Sequence, residues 1–159
     1  MTLLDKEAVK RAETALREFD EKLKVISLAK SARTAKEAAS SLGCEVGAIV
    51  KSLLFRTNDN FILGLVAGDK RASLNKLKKL LDSKDVSMAS ADEVKKITGY
   101  TIGGVSPVGL LNKIEVLIDE SLERFDSLFA AAGHPNCVFK INFIDLQKIT
   151  KGSVKKFSE

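Results

Sequence analysis

The chain reads as a mixed α/β fold, a single domain over residues 1–159 with a central mixed, partly closed β-sheet surrounded by short helices. Three observations predict this. Apolar residues recur at helical spacing in several short stretches, and runs rich in β-branched and aromatic residues alternate with them. No linker, internal repeat or low-complexity stretch divides the chain. At 159 residues and 45% hydrophobic content there is material for one substantial core.

Ala8, Ala12, Ala15, Leu16 and Phe19 share one helical stripe, which predicts a first helix from about Asp5 to Phe19. Thr34-Ala-Lys-Glu37 is a capping box, in which hydroxyl and carboxylate satisfy two free amides reciprocally. Ala35, Ala38, Ala39 and Leu42 form the apolar face behind it, and Gly43 suits the helix end. Ile49–Phe55 and Phe61–Ala67 read as paired strands across the polar turn Thr57–Asn60. Leu74, Leu77, Leu80 and Leu81 predict another amphipathic helix, with Lys76, Lys78 and Lys79 towards water. Ser90-Ala-Asp-Glu93 is a second capping box, opening a helix through Val94 and Ile97 that stops at Gly99. Apolar runs follow at 114–118, 128–132 and 138–141, and the tail mixes a short helix with a lysine-rich end.

Composition bounds the function. Net charge is +5 and the pI near 9.2, which suits an anionic partner such as RNA as well as solubility alone. Aromatics make up 6% with no tryptophan, against base stacking as the main mode of nucleic-acid binding. Two distant cysteines and one histidine exclude a zinc-ligand motif, and no metal or cofactor is expected. No signal peptide or long apolar run is visible, so a cytoplasmic protein with no membrane association is expected. GxSxG, Walker, HExxH and GxGxxG motifs are all missing.

Residues 103–109, Gly-Gly-Val-Ser-Pro-Val-Gly, hold three of the ten glycines and one of the two prolines. Glycine permits close approach and Pro107 biases Ser106 towards extended geometry, so a stiff loop presenting backbone N–H and C=O is predicted. The other proline stands in Gly133-His134-Pro135, beside the only histidine. Lys51 interrupts an apolar strand, on one face with Ile49, Leu53 and Phe55, while Ser52 faces the other way. Its stem can cover apolar surface with the ammonium in water, or the cation can serve a phosphate at a cleft edge. His134 is either a turn residue or a base needing a partner, and Asp119 reads as a helix N-cap.

Lys51 in Ile-Val-Lys-Ser-Leu-Leu-Phe, the Gly103–Pro107 GxxxP and Ala-Ala-Gly-His-Pro at 131–135 occur in that order. With the segment at 31–46, they resemble the YbaK/EbsC family of aminoacyl-tRNA deacylases over residues 8–150. That family includes the editing domain inserted in bacterial prolyl-tRNA synthetases and its free-standing relatives. The resemblance implies hydrolysis of the ester joining a wrong, small amino acid to tRNA, with tRNA for proline and alanine favoured, and cysteine or serine as other candidates. Mischarged tRNA is the implied partner, and a prolyl-tRNA synthetase a further one. By this resemblance Lys51 holds the 3′ adenosine near its phosphate, and the catalytic set is Lys51, Gly103, Gly104 and Ser106. Ser52, Val105, Pro107, Gly109, Gly133, His134 and Pro135 would bind substrate. The competing expectation is a module that binds tRNA or an aminoacyl group without cleaving it.

Overall fold

Among the described residues, four of the five α-helices start at a side-chain cap and end at a left-handed residue. The computed structural model describes residues 2–30 and 32–159. Its elements are α1 (Glu7–Phe19), β1 (Val25–Ser27), α2 (Ala35–Leu42), β2 (Ile49–Thr57), β3 (Asn60–Ala67), α3 (Leu74–Leu81) and β4 (Val86–Met88). They continue with α4 (Ala91–Thr98), β5 (Glu115–Asp119), β6 (Leu128–His134), β7 (Cys137–Ile141), α5 (Phe143–Thr150) and β8 (Ser153–Lys155). Both predicted capping boxes form: the Thr34 and Ser90 hydroxyls each accept from the amide three residues on, and their own backbone amides donate to the carboxylates of Glu37 and Glu93. Gly43 and Gly99 then end α2 and α4 in the left-handed region.

The strands make one curled, mixed sheet in the order β1-β7-β6-β2-β3-β5-β8, with β4 attached to β2. β2 and β3 pair antiparallel along their length, from Val50 opposite Ala67 to Thr57 opposite Asn60. The other edge of β2 is divided. β6 runs parallel to it at Ile49 and Val50, and β4 antiparallel to it from Phe55 to Thr57. Lys51, Ser52 and Leu53 belong to neither register. Two neighbours diverging from one strand leave a notch where backbone is not covered by a ladder.

Alternation along β2 and β3 sorts the core. Val50, Leu54, Leu63, Leu65 and Ala67 turn inward with Val116 and Ile118, under Val9, Ala12 and Leu16 of α1. On the opposite face Phe55, Ile62, Val66 and Leu117 meet Leu77 of α3 and Phe157, while Ile49 and Val138 meet Ala38 and Ala39 of α2.

Several expectations need correction. The buried stripe of α1 is Val9, Ala12 and Leu16, so the helix is rotated towards Val9 and Phe19 is exposed. Lys76 does not simply face water: it is half-buried and its ammonium donates to the Ser158 carbonyl, 2.6 Å away. Only Leu77 of the four α3 leucines is fully buried. Three strands of three residues each, β1, β4 and β8, escape the sequence reading, because such short segments carry no detectable period. Asp119 caps a short 3-10 turn through the Ser121 amide and also accepts from the amides of Phe157 and Ser158, pinning the C-terminal segment. Burial works against its charge, yet these hydrogen bonds hold its carboxyl below the ordinary range.

Candidate functional site

The notch beside β2 opens into a cavity of about 590 Å³. Its floor is residues 49–54 of β2, flanked by Phe129–Ala131 of β6 and Met88-Ala89 at the end of β4. Residues 32–36 before and at the start of α2 form one wall, with Gly68. Ile102, Gly103 and Val105 of the glycine loop form another, next to Pro135. Arg33, Lys36 and Lys51 line it, and no acidic side chain does so among the described residues. A concave, cation-lined site with apolar walls suits an anion carrying an apolar group.

Lys51 reaches the cavity from the outer face of β2. It is half-buried, and its ammonium donates to the carbonyl of Lys70, in the turn after β3. Burial, then the charge of Arg71, push its pKa below the ordinary lysine value, while Asp69 pulls it back up. The turn is itself held by a fork from Arg124 to both carboxylate oxygens of Asp69, at 2.6 and 3.0 Å. The Ser52 hydroxyl, on the inner face, is buried with no hydrogen-bond partner among the described residues. A buried hydroxyl left unpaired is costly, so a polar group entering the cavity would gain from meeting it.

The two loop motifs, thirty residues apart in sequence, touch. A Cβ on Gly104 would lie 2.9 Å from the His134 backbone nitrogen and Cα, and one on Gly103 would lie 3.4 Å from the Pro135 ring. Gly103 has φ +95, and Gly133 has φ +90 where the β6–β7 register shifts between Ala131 and His134. Gly103 is exposed to the cavity, whereas Gly104, Ser106 and Pro107 are buried behind it. The Ser106 hydroxyl turns back to accept from the Val108 amide. Gly109 and Gly133 likewise stand outside the lining.

His134 stands beside this wall rather than in it, with Pro135 lining the cavity in its place. Its Nδ1 accepts from the Asn136 amide at 3.0 Å, which leaves the ring proton on Nε2 in the neutral form. Burial, then the charges of Lys6 and Arg33, lower its pKa, which favours the neutral ring. Its charged neighbours are cations, not the carboxylate that usually orients a histidine base.

Lys51, Ser52, Gly103, Val105 and Pro135 therefore share one cavity. The sequence reading missed Arg33, which precedes the capping box of α2, and Lys36, which lies within it. A clue was present, because cations at a helix start oppose the macrodipole unless an anion sits between them. Gly68 gave no cue; a Cβ there would lie 2.3 Å from the Val46 carbonyl.

Comparison with known proteins identifies the family. The family model described as aminoacyl-tRNA editing domain matches residues 29–149. The chain is 35% identical over 120 residues to a proline–tRNA ligase of Caldicellulosiruptor bescii, covering 75% of this chain and 20% of the ligase. It thus spans about a fifth of the length of that relative. Uncharacterized protein YwhH of Bacillus subtilis is 32% identical over 148 residues, covering 92% of this chain and 94% of YwhH. Among solved structures, a candidate trans-editing enzyme for prolyl tRNA synthetase superimposes with a TM-score of 0.92 at 37% identity, covering 97% of this chain and 98% of the other. The chain belongs to the aminoacyl-tRNA editing domain family.

Proposed function

We propose that this protein is a deacylase acting in trans on mischarged tRNA, removing a small amino acid, with alanine on tRNA for proline as the preferred substrate and cysteine or serine as lesser ones. The observation that carries this reading is the cavity at the β2 notch, lined by three cations and by the glycine loop. Its volume of about 590 Å³ falls within the range of roughly 300–1,000 Å³ usual for small-ligand pockets. That is room for an aminoacyl group together with its terminal nucleoside.

In this reading Lys51, with Arg33 and Lys36, takes the phosphate side of the 3′ end. The exposed backbone at Gly103, beside buried Val105 in the lining, meets the aminoacyl ester, where N–H groups stabilise the oxyanion formed as water adds to the carbonyl. Collapse of that intermediate breaks the acyl bond and returns a proton to the ribose 3′ oxygen. The substrate's own 2′-hydroxyl helps orient the water, so no protein nucleophile is required. Gly104, Ser106 and Pro107 hold the loop from behind, and neutral His134 supports its position rather than abstracting a proton. Discrimination comes from pocket size, where one methylene is worth about 1–3 kcal/mol.

Purified protein incubated with alanyl-, seryl-, cysteinyl- and prolyl-tRNA for proline tests this. We expect release of amino acid fastest from the alanyl form and slowest from the prolyl form. The competing binding module would retain all four and cleave none. His134→Ala on the same panel should change the ratio between substrates, whereas a general base would lower all four rates equally.

A further inference from the structure

The glycine loop is anchored from outside itself, by the first helix. Arg11 of α1 donates from Nε to the Gly109 carbonyl at 2.7 Å and from Nη2 to the Gly99 carbonyl at 2.9 Å. These two carbonyls stand on either side of the loop, ten residues apart in sequence. The guanidinium also stacks on Tyr100, 4.5 Å from the ring centre. The Tyr100 hydroxyl donates to the Val108 carbonyl at 2.7 Å. Both flanking glycines clear space for this clamp. A Cβ on Gly99 would lie 2.5 Å from Arg11 Nη2, and one on Gly109 2.7 Å from the Tyr100 oxygen. One turn earlier on the same helix, the Ala8 carbonyl packs where a Cβ of Gly133 would stand, at 2.7 Å.

We propose that Arg11 is a positioning residue, which sets the placement of the Gly103–Pro107 backbone against the His134-Pro135 wall by clamping both ends of the loop to α1. The physical case is one of missing alternatives. Between Thr101 and Val105 the only backbone hydrogen bond found within the loop runs from the Gly104 amide to the Thr101 carbonyl, so regular pairing does not fix its position. A planar fork bonded to two carbonyls fixes both distance and orientation, which a single point charge cannot do. α1 precedes residues 29–149, so the clamp comes from chain outside the matched family stretch. For its effect on catalysis, this inference rests on the function proposed above.

The test compares wild type with Arg11→Met, which keeps the apolar stem, and Arg11→Lys, which keeps the charge. Two readouts separate positioning from mere stability. The first is the ratio of alanyl- to prolyl-tRNA cleavage, in which any loss of folded protein cancels. The second is hydrogen exchange at residues 101–108, compared with the amides of β2 and β3. For Arg11→Met we expect the ratio to fall on the order of tenfold and loop exchange to rise similarly, while strand protection is retained. Arg11→Lys should fall between, since one ammonium cannot span both carbonyls. An unchanged ratio and unchanged loop exchange in Arg11→Met would overturn the proposal, and wild-type behaviour of Arg11→Lys would overturn the two-carbonyl clamp. If wild type cleaves no substrate the deacylase reading fails by itself, and loop exchange still decides whether Arg11 positions the loop.

Discussion

The two sides of the cavity are held by opposite means. Lys51 projects from a strand paired along its whole length with β3, and its ammonium is steadied by a carbonyl of the turn that follows β3. The glycine loop has no ladder, and its backbone is placed by Arg11, Tyr100 and contact with His134. A strand-borne side chain inherits the precision of the sheet, so its weak point is its own charge. Loop-borne backbone must import its precision, so its weak points are the glycines that allow close packing.

The largest effect expected from that contrast is at Gly104. A methyl there meets backbone atoms of His134 at 2.9 Å, which cannot rotate away. Gly104→Ala should push the loop off its wall and cost about 10²–10³-fold in kcat/KM for alanyl-tRNA, the scale of losing an oxyanion donor. Gly103→Ala separates strain from clash. The new methyl has 3.4 Å to Pro135, but φ +95 disfavours any L side chain, at a cost of about 1–3 kcal/mol. We therefore expect a larger fall in melting temperature relative to the loss of activity than for Gly104→Ala. The reverse ranking would mean that loop conformation, not contact with His134, controls the site.

Lys51→Ala comes next, with an expected loss on the order of 10²-fold in kcat/KM and no change in fold by circular dichroism. Lys51→Arg should recover only part of it, because a planar fork does not reproduce a compact ammonium. The lowered pKa gives this side of the site a pH signature. Deprotonation removes the charge, so affinity for a non-hydrolysable aminoacyl-adenosine phosphate should weaken as pH rises, beginning below the range of a free lysine. Lys51→Arg should flatten that limb. A pH-independent affinity in wild type would detach Lys51 from the phosphate.

The smallest effect concerns the Asp69–Arg124 fork. Both side chains are more than a third exposed, so the pair is worth at most about 1 kcal/mol. Arg124→Met should barely move the melting temperature. It should raise the midpoint of the Lys51 limb, because Asp69 left without its partner favours the lysine cation more strongly.

Local signals located much of this protein from the chain alone. The capping boxes at Thr34 and Ser90, the glycine stops at Gly43 and Gly99, and the β2–β3 hairpin are decided by neighbours within a few residues, and each is found where local chemistry puts it. Lys51 was visible as a cation in an apolar strand, and the 103–109 loop as a cluster of glycine and proline. Short β1, β4 and β8 were not visible, because three residues form a strand only when a partner edge is already in place.

Sequence by itself therefore determined which residue types were available and the local backbone shape around them: a strand lysine, a bare-backbone loop and a histidine–proline turn. Tertiary structure alone decided what those pieces face. The notch exists because β6 and β4 leave β2 at different points, a long-range pairing that no window along the chain encodes. Arg33 and Lys36 join Lys51 only because α2 packs across that notch. Arg11 acts as a clamp only because α1 brings it to two carbonyls 88 and 98 residues away. Short-range chemistry acts through bonds and neighbours a few residues apart, whereas a cavity is set by which surfaces the whole chain buries together.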